Sequence, residues 1–212
     1  MEKRIKFNGE IFRNGNELAD YLKDIMFTSN CDDHLTNLAK TIAVKFKYTK
    51  NPALVCVGSR KVNFDIFGPI IYDEFLKEGI TEKHLYWFNG INAEDVINEI
   101  KRNNHDLIIA FDAALAFDNN IEMLKLKFRT GGVKPGAGVN KHITEVGDFS
   151  IILPVGYKFD IKTITNIERS NEWYRVEDIR HVAAKFTKTF MNEVKNFYNF
   201  LEDSNKNLIV PN

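Results

Sequence analysis

Apolar positions along this chain alternate between helical spacing and short unbroken runs, which predicts helices interleaved with buried strands. Leu18, Tyr21, Leu22, Ile25 and Met26 recur at helical spacing and predict a first helix over 17–26. A second helix follows, with Asp32 or Asp33 as its cap and Leu35, Leu38, Ala39, Ile42, Ala43 and Phe46 on one face. Pro52 ends that helical region, and the apolar run 53–57 has the composition of a strand covered on both faces. A loop over 58–64 leads to a helix that starts at Phe67 or Pro69, ends at Lys77 and turns Ile70, Ile71, Phe75 and Leu76 inward. Proline suits its first turn, where the missing N–H has no partner to lose. Residues 84–88 read as the next strand and 93–102, with Val96, Ile97 and Ile100, as the helix after it. Residues 106–111 make a third buried strand with Asp112 at its C-terminal end, and 149–155 make another. Val182, Ala183, Phe186, Phe190, Val194, Phe197 and Leu201 then mark a long amphipathic helix over 179–201.

This succession predicts a three-layer α/β fold of the phosphorylase/hydrolase-like kind, a mostly parallel sheet flanked by helices, with extra terminal helices. A single domain over 1–212 is expected: an N-terminal helical segment at 1–50, a core at 53–156 and a C-terminal helix at 178–203. The 212 residues carry 29 basic and 29 acidic side chains, so no net field draws the protein to nucleic acid or to an anionic membrane surface. No window approaches the ~20 apolar residues of a membrane helix, and the first residues lack a signal-type apolar stretch, so a cytoplasmic protein is expected. Cys31 and Cys56 match neither a disulfide framework nor a zinc spacing, and both are expected as free thiols. Oligomeric state is not legible in this pattern.

Candidate chemistry gathers where the strands of an open parallel sheet end, because loops from neighbouring βα units converge there. Asp65 follows the first sheet strand and Asp112 ends the third, so adjacency of those strands would set both carboxylates on one rim. Two such acids can divide labour as acid and base, or hold a divalent cation together. By spacing alone Asp65 also suits the N-cap of the helix near Phe67. Residues 129–148, RTGGVKPGAGVNKHITEVGD, hold five glycines without periodicity and read as one long loop. Gly136 and Gly138 would let backbone N–H groups approach an oxyanion or peptide carbonyl, with Lys134 and Lys141 adding charge; a plain surface connection is the other reading. The loop lacks the Gly-Lys-Ser/Thr triplet of a phosphate loop, and no G-x-S-x-G elbow occurs. His34, His84, His105, His142 and His181 show no zinc spacing, and only His142 lies in the loop. Cys56, Trp87 and Phe88 read as core.

Three segments together carry a family resemblance: VCVGSRKVNFDIFGP at 55–69, LIIAFDAALA at 107–116 and GGVKPGAGVNKHITEVGD at 131–148. The chain resembles the spore germination protease superfamily, and within it the small YyaC-like sporulation proteins. The resemblance implies that Asp65, in D-I-F-G-P, and Asp112, before Ala113, are a catalytic aspartate pair hydrolysing a peptide bond. It also implies substrate contacts at Gly68, Pro69, Lys134, Pro135, Gly136, Gly138, Lys141 and His142. A peptide or protein substrate, spore proteins among them, is expected, with no cofactor, no metal, no nucleic acid and no membrane. A peptide-binding sporulation protein without catalysis is the alternative on the same fold. Fold-related hydrogenase maturation proteases use a histidine that the resemblance does not place here. Asn63-Phe64, Phe67 and Asn140 depart from the family's pattern.

Overall fold

The structure is a computed structural model that describes residues 5–7, 10–12, 31–89, 91–116, 122–135, 144–157 and 175–206. The helix expected over 17–26 lies outside them. Short strands β1 (Ile5–Phe7) and β2 (Glu10–Phe12) pair antiparallel, and helix α1 (Cys31–Tyr48) follows. The chain continues through β3 (Pro52–Val57), one 3-10 turn (Asn63–Asp65), α2 (Phe67–Lys77), β4 (Leu85–Phe88), α3 (Ala93–Asn103) and β5 (Leu107–Ala116). Strands β6 (Lys127–Thr130) and β7 (Phe149–Tyr157) and helix α4 (Val176–Lys206) complete it. Contacts group the chain into two compact units, Met1–Lys50 with Phe186–Asn212, and Asn51–Lys185.

In the first unit α1 buries the stripe its sequence marks, with Leu38, Ala39, Ile42 and Ala43 fully covered. The Phe46 ring meets Phe190 edge-on at 5.4 Å, and Lys47 Nζ donates to the Glu193 backbone oxygen at 2.6 Å. Helix α1 is described from Cys31 onward, with Asp32 and Asp33 as helical residues within it.

The second unit holds the five-stranded sheet, in the order β4-β3-β5-β7-β6. Strands β4, β3, β5 and β7 run parallel, and β6 closes the far edge antiparallel to β7. Every residue of β3 is buried, which explains its unbroken apolar run. Pro52 opens this strand, a position that tolerates proline. One sheet face packs Ala53, Val55, Val57, Phe88 and Ala110 against Ala93 and Ile100 of α3. On the other face Phe75 of α2 meets Phe111 edge-on at 5.6 Å. Both rings are fully buried, and each such side chain contributes about 1.5–3 kcal/mol. Leu76, expected inside, is 36% exposed at the last turn of α2, where the helix turns it away from the sheet.

Connectivity fixes where a crevice forms. From β3 the chain steps through α2 to β4 on one side, then crosses back through α3 to β5 on the other. The β3/β5 boundary is therefore the switch point at which strand order reverses.

Candidate active site

Asp65 and Asp112 both stand at that switch point. β3 and β5 are adjacent and parallel, in register from Pro52↔Leu107 to Cys56↔Phe111. Asp112 is thus the first β5 residue beyond the β3 ladder. The expected strand end at 111 is corrected: β5 runs on to Ala116 because β7 keeps pairing with it, Asp112 opposite Ile152. Strand alternation puts the Asp112 side chain on the face of Ile108, Ala110 and Ala114, the α3 side of the sheet.

Asp65 reaches the same place by a folded-back loop. Gly58, which follows β3, has φ +140°, and a Cβ there would lie 2.1 Å from the Asp65 backbone oxygen. Only glycine permits that approach. The turn is held by Ser59 N–H donating to the Asp65 carbonyl at 3.0 Å, by Gly58 N–H donating to Phe88 O at 3.1 Å, and by Trp87 Nε1 donating to Gly58 O at 3.0 Å. Gly68 lets the first turn of α2 abut the sheet, since a Cβ there would lie 1.9 Å from Val57 O. Gly68 and Pro69, expected as substrate contacts, are buried in the first turn of α2. The N-cap of α2 is Ile66, with no side-chain cap bond, so Asp65 does not cap that helix and its carboxylate is left for other work.

Electrostatics couple the two acids. Burial pushes the Asp65 carboxyl up to about 6, against a smaller opposing pull from the Ser59 backbone N–H. Asp112 is held well above the usual carboxylate range, first by burial and second by repulsion from Asp65, against a weaker pull from the Ala113 N–H, which donates to its Oδ1 at 2.9 Å. Both side chains keep partial exposure. Burial and the charge of Asp65 thus both favour the protonated form of Asp112, while burial alone does so for Asp65.

The glycine-rich segment is less of a free loop than its composition suggests. Its start is strand β6, and its arms are clasped by a Val133↔Val146 bridge with N–H···O distances of 2.9 and 3.0 Å. Asp148 ties the second arm to β5, its carboxylate accepting from Ile108 N–H at 2.7 Å. A Cβ on Gly147 would meet Ala110 Cβ at 3.0 Å, so this arm crosses the Asp112 face of β5. Lys134 is exposed and Pro135 buried on the first arm. Gly136, Gly138, Lys141 and His142 lie outside the described residues.

The remaining candidates separate cleanly. His84 Nδ1 lies 2.8 Å from Pro52 O, and His105 contacts Asn51 O at 3.2 Å and Tyr86 Oη at 2.8 Å, so both belong to the amino ends of the strands, away from the acids. Burial pushes the Cys56 thiol well up, consistent with a core residue. Phe88 is buried, whereas Trp87 is partly exposed on the edge strand β4, where Arg60 lies over its ring at 4.7 Å while pairing with Asp73 at 2.6 and 2.7 Å. Among the described residues no three His, Cys, Asp or Glu side chains are grouped to hold a metal ion. Gly58 is the site residue that sequence reasoning passed over; a lone glycine directly after a buried strand was its only signal.

The fold is a helix-flanked α/β fold built on a mostly parallel five-stranded sheet. Its architecture matches a [NiFe] hydrogenase maturation protease, HycI from Thermococcus kodakarensis KOD1, with a TM-score of 0.51 at 15% identity over 73% of this chain and 98% of that one. A peptidyl-tRNA hydrolase from Acinetobacter baumannii aligns with a TM-score of 0.43 at 13% identity over 70% and 92% of the two chains. Residues 26–188 match the family model described as a protein of unknown function, DUF1256, and the chain belongs to that family. It is 32% identical over 104 residues to the uncharacterized protein YyaC of Bacillus subtilis (strain 168), which covers 46% of this chain and 50% of that relative. The match thus spans about half the length of the curated relative. These likenesses agree with the resemblance to YyaC-like proteins of the germination-protease fold group. No helix among the described residues is long and apolar enough to cross a membrane.

Proposed function

We propose that this protein is a germination-protease-like peptidase that hydrolyses a peptide bond with Asp65 and Asp112. The observation that carries this reading is the acid pair at the switch point, with the Asp65 carboxyl pushed up to about 6 and the Asp112 carboxyl held well above the usual carboxylate range. Ionised Asp65 takes a proton from water as the oxygen attacks the scissile carbonyl, and protonated Asp112 gives its proton to the departing nitrogen. One C–N bond breaks and one C–O bond forms. The proton on Asp65 then returns the pair to its starting state by passing to Asp112. Backbone N–H groups of the glycine-rich segment, with Lys134, hold the carbonyl oxygen as it gains charge. The resemblance to sporulation proteins points to spore proteins as the substrate class.

Purified full-length protein incubated with unstructured peptides and spore proteins, with products read by mass spectrometry, tests the proposal. Discrete cleavage that disappears in Asp112→Asn is expected. Saturable peptide binding with no product, in a folded protein, would instead identify a binding protein on the protease scaffold.

A further inference from the structure

One exposed side chain at the carboxyl end of β4 is out of keeping with its surroundings. Ile91 is 89% exposed, whereas the other large apolar side chains standing out among the described residues, Tyr48 and Leu76, are 40% and 36% exposed. The backbone that presents it is held in place. Asn89 Oδ1 accepts the Ile91 N–H at 2.8 Å, Asn92 Oδ1 accepts the Asn89 N–H at 2.8 Å, and Asn92 Nδ2 donates to Trp87 O at 3.4 Å. Asn89 and Asn92 thus make side-chain hydrogen bonds to the backbone on either side of Ile91.

Register locates it relative to the acids. Phe88 pairs with Val57, and Asp112 is one step beyond the Cys56↔Phe111 pair, so Phe88, Val57 and Asp112 form one row across three strands. Strands about 4.8 Å apart place Phe88 and Asp112 roughly 10 Å from each other. Ile91 follows Phe88 by three residues, at most about 10 Å further along the chain. It leads into α3, whose Ala93 packs on the sheet face that Asp112 occupies.

We infer that Ile91 is an apolar specificity contact for the polypeptide substrate, receiving a hydrophobic side chain about three to six residues from the cleaved bond, given ~3.3 Å per extended residue. This rests on the peptidase reading of the acid pair. An extended peptide with its scissile carbonyl at Asp65 and Asp112 and its chain running toward β4 meets Ile91 at that spacing. A polar side chain would make the same tight turn, so neither the turn nor the core needs isoleucine there.

The test uses the full chain and a positional-scanning library of fluorescent peptides, read twice: as kcat/KM on the unmodified protein and as binding to Asp112→Asn. The expected result is a preference for an apolar residue at one position in that window. Ile91→Ser should then weaken both readouts about 10-fold for those peptides, mainly through KM, and leave peptides lacking the apolar residue unchanged. Ile91→Leu should restore the preference, and the melting temperature should be the same in all three proteins. Binding or cleavage without an apolar preference, or a preference that survives Ile91→Ser, overturns the inference. Ile91-dependent binding without any cleavage supports the contact and overturns the peptidase reading alone.

Discussion

A carboxyl group pushed up to about 6 beside one held well above the usual carboxylate range is a costly arrangement for the fold, and the cost has a measurable sign. Both groups bind protons more tightly in the folded protein than the ~3.9 of an unfolded aspartate. Between those values the folded state holds more protons than the unfolded one, so this part of the stability is present below about pH 4 and is lost as pH rises through 6 and beyond. Replacing Asp112 with Asn keeps an oxygen to accept the Ala113 N–H and removes the ionisable group. Asp112→Asn should therefore raise the melting temperature at pH 7 by a few degrees, on the order of 1 kcal/mol, with the gain vanishing at pH 4; thermal melts at the two pH values check this. Activity should show a bell-shaped pH profile, its acid limb near 6 from Asp65 and its alkaline limb at higher pH from Asp112. Carboxyl NMR titration offers a second view: Asp65→Asn removes the repulsion and should lower the Asp112 pKa, while burial keeps it above the ordinary range.

Elements bring the acids together through two glycines. Gly68 admits α2 to the end of β3, and even alanine there would place a Cβ 1.9 Å from Val57 O. Because that obstacle is backbone inside a packed layer, Gly68→Ala should lower the melting temperature by at least about 5 °C, seen by calorimetry. The Arg60–Asp73 pair, by contrast, has side chains 44% and 38% exposed, and water screens it. Arg60→Ala should cost no more than about 1 kcal/mol in urea denaturation. Period and composition revealed the buried elements well: β3, α2, β4 and α3 lie within a residue or so of where the apolar pattern placed them. Strand β6 escaped notice because KFRT is a short edge strand whose partly exposed positions carry no clean alternation. The extra length of β5 was equally hidden, since pairing with β7, a contact distant in sequence, is what sustains it.

At the scale of the whole molecule, the order of βα units decides where chemistry can sit. The α/β class and the parallel sheet were legible because a buried parallel strand must be apolar throughout, as 53–57 and 107–111 are. That Asp65 and Asp112 meet was legible only conditionally, on β3 and β5 being neighbours. The cap reading of Asp65 failed because Gly58 pulls the chain back and leaves Ile66 to begin α2. Burial and coupling of the acids depend on the packed layers and had no trace in local sequence. The most direct measurement of the central claim is kcat/KM on one cleaved peptide for the unmodified protein, Asp65→Asn, Asp112→Asn and the double variant. Acids that work as a unit predict a loss of about 10²–10⁴ in each single variant and almost none further in the double. Undiminished turnover in either single variant, or losses that multiply in the double, would contradict a shared catalytic pair.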